Sequence, residues 1–137
     1  MKIYFAYTIR GDKSRIHVAK EIVEMLKQKG HTVMTEIFLR DNAEDEGNLT
    51  DKEIFERDIG WLDECDILVS EVSGSSFGIG YETAYILNGR GKKAFVLYHN
   101  ETKHKISKMA LGNTHKNCTV FGYDNAEDIK KFIDEHF

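Results

Sequence analysis

Proline is absent from this chain of 137 residues, and cysteine occurs only twice. The lack of proline is consistent with regular helices and strands, because proline removes a backbone donor from both. Cys65 and Cys118 are too few and too isolated for a disulfide framework or a zinc site, so we expect both to be reduced and structural. The six histidines show neither an H-E-x-x-H motif nor paired ligand spacing, and we expect no metal and no cofactor.

Long apolar runs and an excess of positive charge are also missing. No apolar stretch approaches the roughly 20 residues that a membrane-spanning helix needs, and strand-like sequence begins directly after Met1. We therefore expect a cytoplasmic protein with no membrane partner. The formal net charge of -4 argues against a nucleic acid polymer as partner. A content of 41% hydrophobic and 31% charged residues fits one compact domain spanning residues 1–137.

Strand-like and helix-like patterns alternate along the chain. Apolar residues at helical spacing predict helices at 16–26, 50–62, from about 83, and at 126–137. Apolar runs between them predict strands at 3–7, 32–35, 67–72, 94–98 and 118–121. This order predicts an α/β fold with a five-stranded parallel sheet and helices on both faces. The acidic, glycine-containing segment 40–50 is predicted to be a mobile surface loop.

A hydroxyl-rich and glycine-rich loop follows the predicted strand 67–72. It reads Ser-Gly-Ser-Ser-Phe-Gly-Ile-Gly-Tyr-Glu from Ser73 to Glu82 and leads into a helix. In sheets of this type ligands bind beyond the carboxyl ends of strands, and a helix N-terminus there offers free amide groups to an anion. The pattern predicts a nucleotide-phosphate site with Glu82 beside it as a nucleophile. The helix terminus is expected to favour the ionised form of Glu82.

A second carboxylate, Asp58, lies on the apolar stripe of the predicted helix 50–62, four residues from both Ile54 and Leu62. One interpretation is that Asp58 accepts a hydrogen bond from a nearby backbone amide or hydroxyl. The other is that it borders the same cleft as Glu82, giving the paired carboxylates that glycosidic bond cleavage uses. Two such carboxylates tend to separate their pKa values, so that one holds a proton while the other is ionised.

A third candidate element, Thr8-Ile9-Arg10-Gly11, comes directly after the first predicted strand. In a doubly wound sheet this loop lies beside the loop of the neighbouring strand, so Arg10 and the amides near Gly11 are able to reach the same ligand. Arg10 also fits an ordinary solvated charge. The loop lacks the spacing of a dinucleotide-binding or P-loop motif.

Four segments, in order, resemble the nucleoside 2-deoxyribosyltransferase family, with its 2′-deoxynucleoside 5′-phosphate N-hydrolase branch as the best match. They are YFAYTIRG at 4–11, DIGWL at 58–62, CDILVSEV at 65–72 and SFGIGYE at 76–82. The resemblance covers nearly the whole chain. It implies a flavodoxin-like or Rossmann-like doubly wound fold, a homodimer, and hydrolysis of the bond between base and sugar in a nucleoside 5′-monophosphate.

The resemblance also implies roles for individual residues. Glu82 matches the nucleophile that attacks C1′, Asp58 matches the carboxylate that assists departure of the base, and Tyr4 matches a tyrosine that orients the nucleophile. Ser107 resembles a serine that reaches the phosphate from the neighbouring subunit. The implied substrate-binding residues are Thr8, Ile9, Arg10, Gly11, Ser76, Gly78, Gly80, Ser107 and Met109.

Two other functions stay open at this point. A deoxyribosyltransferase would pass the sugar to a second base instead of water, although phosphate-binding serines at 76 and 107 count against it. A non-catalytic nucleotide sensor would use the same cleft. Base preference and the choice between ribose and deoxyribose are also open.

Overall fold

Five strands form one parallel sheet in the computed structural model, which describes residues 1–137. They are β1 (Lys2–Ala6), β2 (Thr32–Val33), β3 (Ile67–Glu71), β4 (Lys93–His99) and β5 (Cys118–Tyr123). Their order across the sheet is β2-β1-β3-β4-β5, and every neighbouring pair is parallel. This is the flavodoxin-like order. From β1 the chain first adds β2 on one side of the sheet and then β3, β4 and β5 on the other side, and this change of side opens a crevice between β1 and β3. The predicted α/β fold is confirmed.

Four α-helices lie between the strands, and a fifth follows β5. They are α1 (Ile16–Gln28), α2 (Asp51–Glu64), α3 (Phe77–Ala84), α4 (Lys108–Leu111) and α5 (Ala126–His136). The α2 helix begins at the predicted capping box, because Thr50 Oγ1 accepts from the Glu53 amide at 3.3 Å and the Glu53 carboxylate accepts from the Thr50 amide at 2.8 Å. None of the helices is both long and apolar enough to cross a bilayer.

Alternate residues of β1 face two separate apolar cores. Ile3 and Phe5 pack with Ile22 of α1 and Ile129 of α5 on one face of the sheet. On the other face Tyr4 packs in a second core together with residues of α2 and α3. Because side chains alternate along a strand, this register directs Tyr4 toward the α2–α3 side. Helices therefore cover both faces, as predicted.

Several boundaries differ from the sequence prediction. The α3 helix begins at Phe77, about six residues earlier than expected, and continues as a π-helical turn over Tyr85–Gly89. Gly78 and Gly80 lower helix propensity, but burial of Ile79 against the sheet stabilises the helix. The predictions missed α4 and two 3₁₀ turns, Glu36–Leu39 and Asn100–Lys105, which are too short for a periodic signal.

The predicted loop 40–50 lies on the surface and makes ion pairs with the first part of the chain. Residues 41–47, which we call the acidic strap, lie over the loop that follows β1 and the start of α1. Lys13 Nζ lies 3.1 Å from Glu44 Oε2, and Lys20 Nζ lies 3.7 Å from Asp41 Oδ1. Ala43 is buried. The other residues of the strap are exposed, apart from the half-buried Glu46, so the prediction of a surface loop is confirmed.

Candidate active site

A cleft of about 470 Å³ opens where the strand order reverses. One wall comes from residues 6–11, which end β1 and begin the following loop, and another comes from residues 75–79, which follow β3. The remaining wall contains Phe38, Glu46, Ile54, Asp58 and Glu82. The crevice at the reversal of strand order is the usual ligand site in open α/β sheets, and here it contains three carboxylates, Glu46, Asp58 and Glu82.

Glu82 projects into this cleft from the second turn of α3. The Tyr4 hydroxyl donates a hydrogen bond to Glu82 Oε1 at 2.8 Å. The pKa of Glu82 is raised to about 7, mainly because the side chain is buried; the hydrogen bond from Tyr4 opposes this rise, and the negative charge of Asp58 contributes to it. The same burial and both carboxylates raise the pKa of the Tyr4 phenol, which therefore stays a neutral donor.

The expectation that a helix terminus keeps Glu82 ionised is wrong. Glu82 is the sixth residue of α3, whereas the helix dipole acts mainly within the first turn. Removal of water dominates instead, because burial disfavours the charged form of a carboxyl group. The free protein consequently holds Glu82 as a mixture of protonated and ionised forms near neutral pH.

Asp58 lines the same cleft as Glu82. Its hydrogen-bond partner is the guanidinium of Arg57, whose Nε lies 2.9 Å from Asp58 Oδ1, and not a backbone amide or hydroxyl. Desolvation raises the pKa of Asp58, while Arg57 opposes that shift. Of the two interpretations of Asp58, the geometry favours a carboxylate that borders the site.

The loop after β1 and the loop after β3 lie in direct backbone contact. A Cβ atom at Gly74 would lie 2.2 Å from the carbonyl oxygen of Asp12, and one at Gly11 would lie 2.9 Å from the carbonyl oxygen of Ser75. Thr8 is buried, and its hydroxyl accepts from the Gly11 amide at 2.9 Å. Thr8 therefore shapes the loop, while both glycines allow the two loops to meet.

The other predicted binding residues lie in two places, the cleft and a separate groove beside it. Ile9, Arg10, Ser76 and Gly78 line the cleft, and Arg10 Nη2 lies 3.7 Å from Glu46 Oε2. Ser76 precedes α3 and makes no capping bond through its side chain, so its hydroxyl is available to a ligand.

Three predicted residues lie elsewhere. Gly80, Ser107 and Met109 line a separate groove of about 620 Å³ between α3 and residues 106–115, and Glu82 does not line that groove. The Ser107 hydroxyl accepts from the Met109 amide at 3.2 Å and caps α4. Within one chain these residues are thus not brought to the cleft. The groove meets the cleft at Ser75, Ser76 and Ile79.

Arg57 and Glu46 were missed by sequence reasoning. Arg57 Nη2 lies 2.6 Å from Glu46 Oε1, and Glu46 is almost enclosed, with 9% of its side chain exposed. The adjacency of Arg57 to Asp58 on one helix was an available signal. Nothing in the acidic strap distinguishes Glu46 from the other acidic residues there. No group of three or more His, Cys, Asp or Glu side chains is arranged to hold a metal.

The fold and the site together define a class: a flavodoxin-like α/β protein with a carboxylate pair at its topological switch point. Residues 3–130 match the sequence model of a family described as nucleoside 2-deoxyribosyltransferase. The chain belongs to the nucleoside 2-deoxyribosyltransferase family.

Two individual proteins and one solved structure are similar to nearly the whole chain. A protein of Thermofilum pendens with the provisional name 2′-deoxynucleoside 5′-phosphate N-hydrolase 1 is 37% identical over 134 residues, covering 98% of this chain and 93% of that protein. The 5-hydroxymethyl-dUMP N-hydrolase of Danio rerio is 30% identical over 139 residues, covering 100% of this chain and 96% of that protein. The solved structure of the CMP N-glycosidase BcmB of Clostridium botulinum matches with a TM-score of 0.71 at 19% identity, over 100% of both chains, which shows the same fold.

Proposed function

We propose that this chain is an N-glycosidase that hydrolyses the bond between base and sugar in nucleoside or 2′-deoxynucleoside 5′-monophosphates. The products are the free base and ribose or deoxyribose 5-phosphate. The observation that carries the proposal is the cleft in which Glu82, held by Tyr4, and Asp58 are lining residues. The names of the relatives support this reaction class, since they describe N-hydrolases of a deoxynucleoside 5′-phosphate and of 5-hydroxymethyl-dUMP.

In the first half of the reaction Glu82 attacks C1′ of the sugar. Tyr4 holds its Oε1, which leaves Oε2 to form the bond to carbon. As this bond forms, the bond between C1′ and the base nitrogen breaks, and its electron pair passes to the base. The carboxylate also stabilises the positive charge that develops on the sugar in an oxocarbenium-like transition state.

Asp58 donates a proton to the departing base, which makes the base a better leaving group. Its raised pKa helps it to retain that proton until then. In the second half of the reaction the Asp58 carboxylate takes a proton from water, and the water oxygen bonds to C1′. The bond between C1′ and Glu82 then breaks, its electron pair returns to Oε2, and both carboxyl groups regain their starting states.

The phosphate lies at the end of the cleft where Ser76 precedes α3. The free hydroxyl of Ser76 and the first amides of α3 are donors of the kind that bind anions. Arg10 approaches from the loop after β1 and has 69% of its side chain exposed, so it is able to turn toward a ligand. A phosphate held there positions the sugar over Glu82, which lets remote binding energy assist the chemistry.

We also propose that the protein is a homodimer in which Ser107 reaches the phosphate in the neighbouring subunit. Phe77, Met109 and Phe55 are large apolar side chains with 92%, 86% and 52% exposure. Phe77 lines the cleft and Met109 lines the adjoining groove, so both mark a surface that a second copy would cover. Ser107 lines no part of the cleft in its own chain, and a partner subunit would bring its Ser107 to the phosphate.

A chromatographic assay of every ribo- and deoxyribonucleoside monophosphate tests the reaction. Hydrolysis predicts equal amounts of free base and sugar phosphate. Addition of a second free base distinguishes a transferase, which would form a new nucleotide from it. If no nucleotide yields free base, while the Glu82→Ala variant still binds nucleotides in calorimetry, the protein is a sensor and the proposed function is wrong.

A further inference from the structure

One guanidinium is shared by two carboxylates beside the cleft. Arg57 Nη2 lies 2.6 Å from Glu46 Oε1 and 2.8 Å from Asp58 Oδ1, and Arg57 Nε lies 2.9 Å from the same Asp58 oxygen. Charge-assisted bonds of this length are strong, and a guanidinium has a fixed, planar set of donors. Because Nη2 contacts both carboxylates, a change in either contact alters the other.

Aromatic side chains hold Arg57 in this position. Its guanidinium carbon lies 4.7 Å from the ring centroid of Trp61 and 5.7 Å from that of Phe38. Only 21% of its side chain is exposed, so water competes weakly for its donors. Stacking of this kind restrains the plane of the guanidinium, and its orientation toward Asp58 is therefore fixed by packing as well as by charge.

Glu46 reaches the cleft because the acidic strap packs on the loop after β1 and on the start of α1, across the cleft from α2. Lys13 and Lys20 form ion pairs with the earlier part of the strap, and Arg10 lies near the second oxygen of Glu46. Glu46 therefore connects the loop after β1 with α2, and it is the strap residue that lines the cleft beside Asp58.

The charged and titratable groups around Asp58 come from every element that packs near it. Arg57 on α2 lowers the pKa of Asp58, whereas Glu46 on the acidic strap raises it. Glu82 on α3 and Tyr4 on β1 also experience the charge of Asp58, which raises the pKa of both. Arg10 affects Asp58 only indirectly, through its contact with Glu46.

We propose that Arg57 and Glu46 are positioning residues that together set the protonation state of Asp58 during catalysis. Arg57 orients the Asp58 carboxyl group and favours its ionised form. Glu46 draws part of the guanidinium away from Asp58 and adds a negative charge, which favours the protonated form that donates to the base. The proposal rests on the proposed N-glycosidase function.

Substitutions of the two residues have opposite expected effects. Glu46→Gln removes a negative charge and leaves Arg57 to Asp58, so the pKa of Asp58 falls. Arg57→Gln removes the positive charge, so the pKa of Asp58 rises. An opposite charge in contact shifts a carboxyl pKa by about 1 to 3 units, and the optimum of a bell-shaped profile is the mean of two apparent values. We therefore expect the pH optimum of kcat/KM to move down by about half a unit or more in Glu46→Gln and up by a similar amount in Arg57→Gln.

The matched control is Glu44→Gln, which makes the same substitution on the same strap at an ion pair with Lys13, away from Asp58. It is expected to leave the pH optimum unchanged. The double variant Glu46→Gln/Arg57→Gln is expected to return toward the native optimum, because the two opposing charges are removed together. Thermal melting of each variant reports whether it folds.

A purely structural role predicts a different result. If Glu46→Gln and Arg57→Gln lower the rate but leave the optimum in place, or shift it in the same direction, the proposal is wrong. Carboxyl ¹³C NMR titration of Asp58, identified by its loss in Asp58→Asn, gives the pKa directly without any activity. The titration therefore tests the effect of Glu46 and Arg57 on Asp58 even in a protein without activity. If the protein releases no base but the pKa of Asp58 shifts as expected, only the proposed function is wrong.

Discussion

Tyr4 and Glu82 are 78 positions apart in sequence, yet the hydroxyl of Tyr4 donates to Glu82 Oε1 at 2.8 Å. The contact arises because Tyr4 faces the α2–α3 side of the sheet from β1, and α3 follows the neighbouring strand β3. Tyr4 is completely buried, so its hydroxyl is a fixed donor to Glu82. The bond selects one carboxyl oxygen of Glu82 and leaves the other for a ligand.

Replacement of the proposed nucleophile is expected to abolish base release. Glu82→Gln keeps the size of the side chain but removes the ionised oxygen that attacks C1′, and loss of a nucleophile costs at least about 10³-fold in kcat. Single-turnover release of base measures the effect. Glu24→Gln, an exposed residue of α1 paired with Lys27, is the control and keeps native activity. Retention of more than a tenth of native activity in Glu82→Gln would disprove a Glu82 intermediate.

Tyr4→Phe is expected to shift the pH dependence upward. The hydroxyl stabilises the ionised form of Glu82, so its loss raises the pKa of Glu82 above about 7. A hydrogen bond to a charged group contributes about 1.5–3 kcal/mol, which corresponds to roughly one pKa unit or more. The pH profile of kcat/KM measures the shift. An unchanged optimum with only a lower melting temperature would mean that Tyr4 merely packs the core.

Glu82 also makes stability depend on pH. Its pKa rises from the ordinary value of 4.5 to about 7 in the folded protein, so the folded state binds the proton more tightly. This contribution to the free energy of unfolding is complete below pH 4.5, decreases as the pH rises to about 7, and is absent above that value. Glu82→Gln should therefore lose less stability than the native protein between pH 4 and pH 8, by up to about 3 kcal/mol. Urea unfolding at several pH values checks this, and parallel curves for the two proteins would contradict it.

Gly74→Ala tests the contact between the two loops. Its Cβ would lie 2.2 Å from the carbonyl oxygen of Asp12, so the backbones must separate. We expect a loss of about 1–3 kcal/mol in the free energy of unfolding and a higher KM. Gly60→Ala on α2 has no atom within 4 Å of its Cβ and should stabilise the helix by up to about 1 kcal/mol. Equal effects of the two substitutions in urea unfolding would show that the loops are not in close contact.

Mixing two defective variants tests the proposed dimer. If Ser107 completes the site of the neighbouring subunit, a heterodimer of Glu82→Gln and Ser107→Ala has one site with both defects and one with neither. An equal mixture, exchanged to equilibrium, should regain about a quarter of native activity, because half of the dimers are mixed and each has one intact site. Activity that only equals the average of the two separate variants would show that Ser107 acts within its own chain, if at all.

The sequence predicted much of the fold because its signals are local. Apolar runs and helical spacing identified all five strands, and the capping box at Thr50 identified the start of α2. The helix α3 was predicted too late, since Gly78 and Gly80 resemble a loop until Ile79 is buried against the sheet. At the start of α3, tertiary packing outweighs the low helix propensity of the two glycines.

For the site, the sequence by itself determined which carboxylates were available, and it left open whether Asp58 borders the same cleft as Glu82. The tertiary structure decided that both line it. Only the tertiary structure decided the protonation of Glu82, because its pKa depends on burial from all sides rather than on its place in a helix. The tertiary structure alone also brought Glu46 to Arg57. That contact depends on how the acidic strap docks against distant lysines, and no periodicity in the sequence encodes such a path.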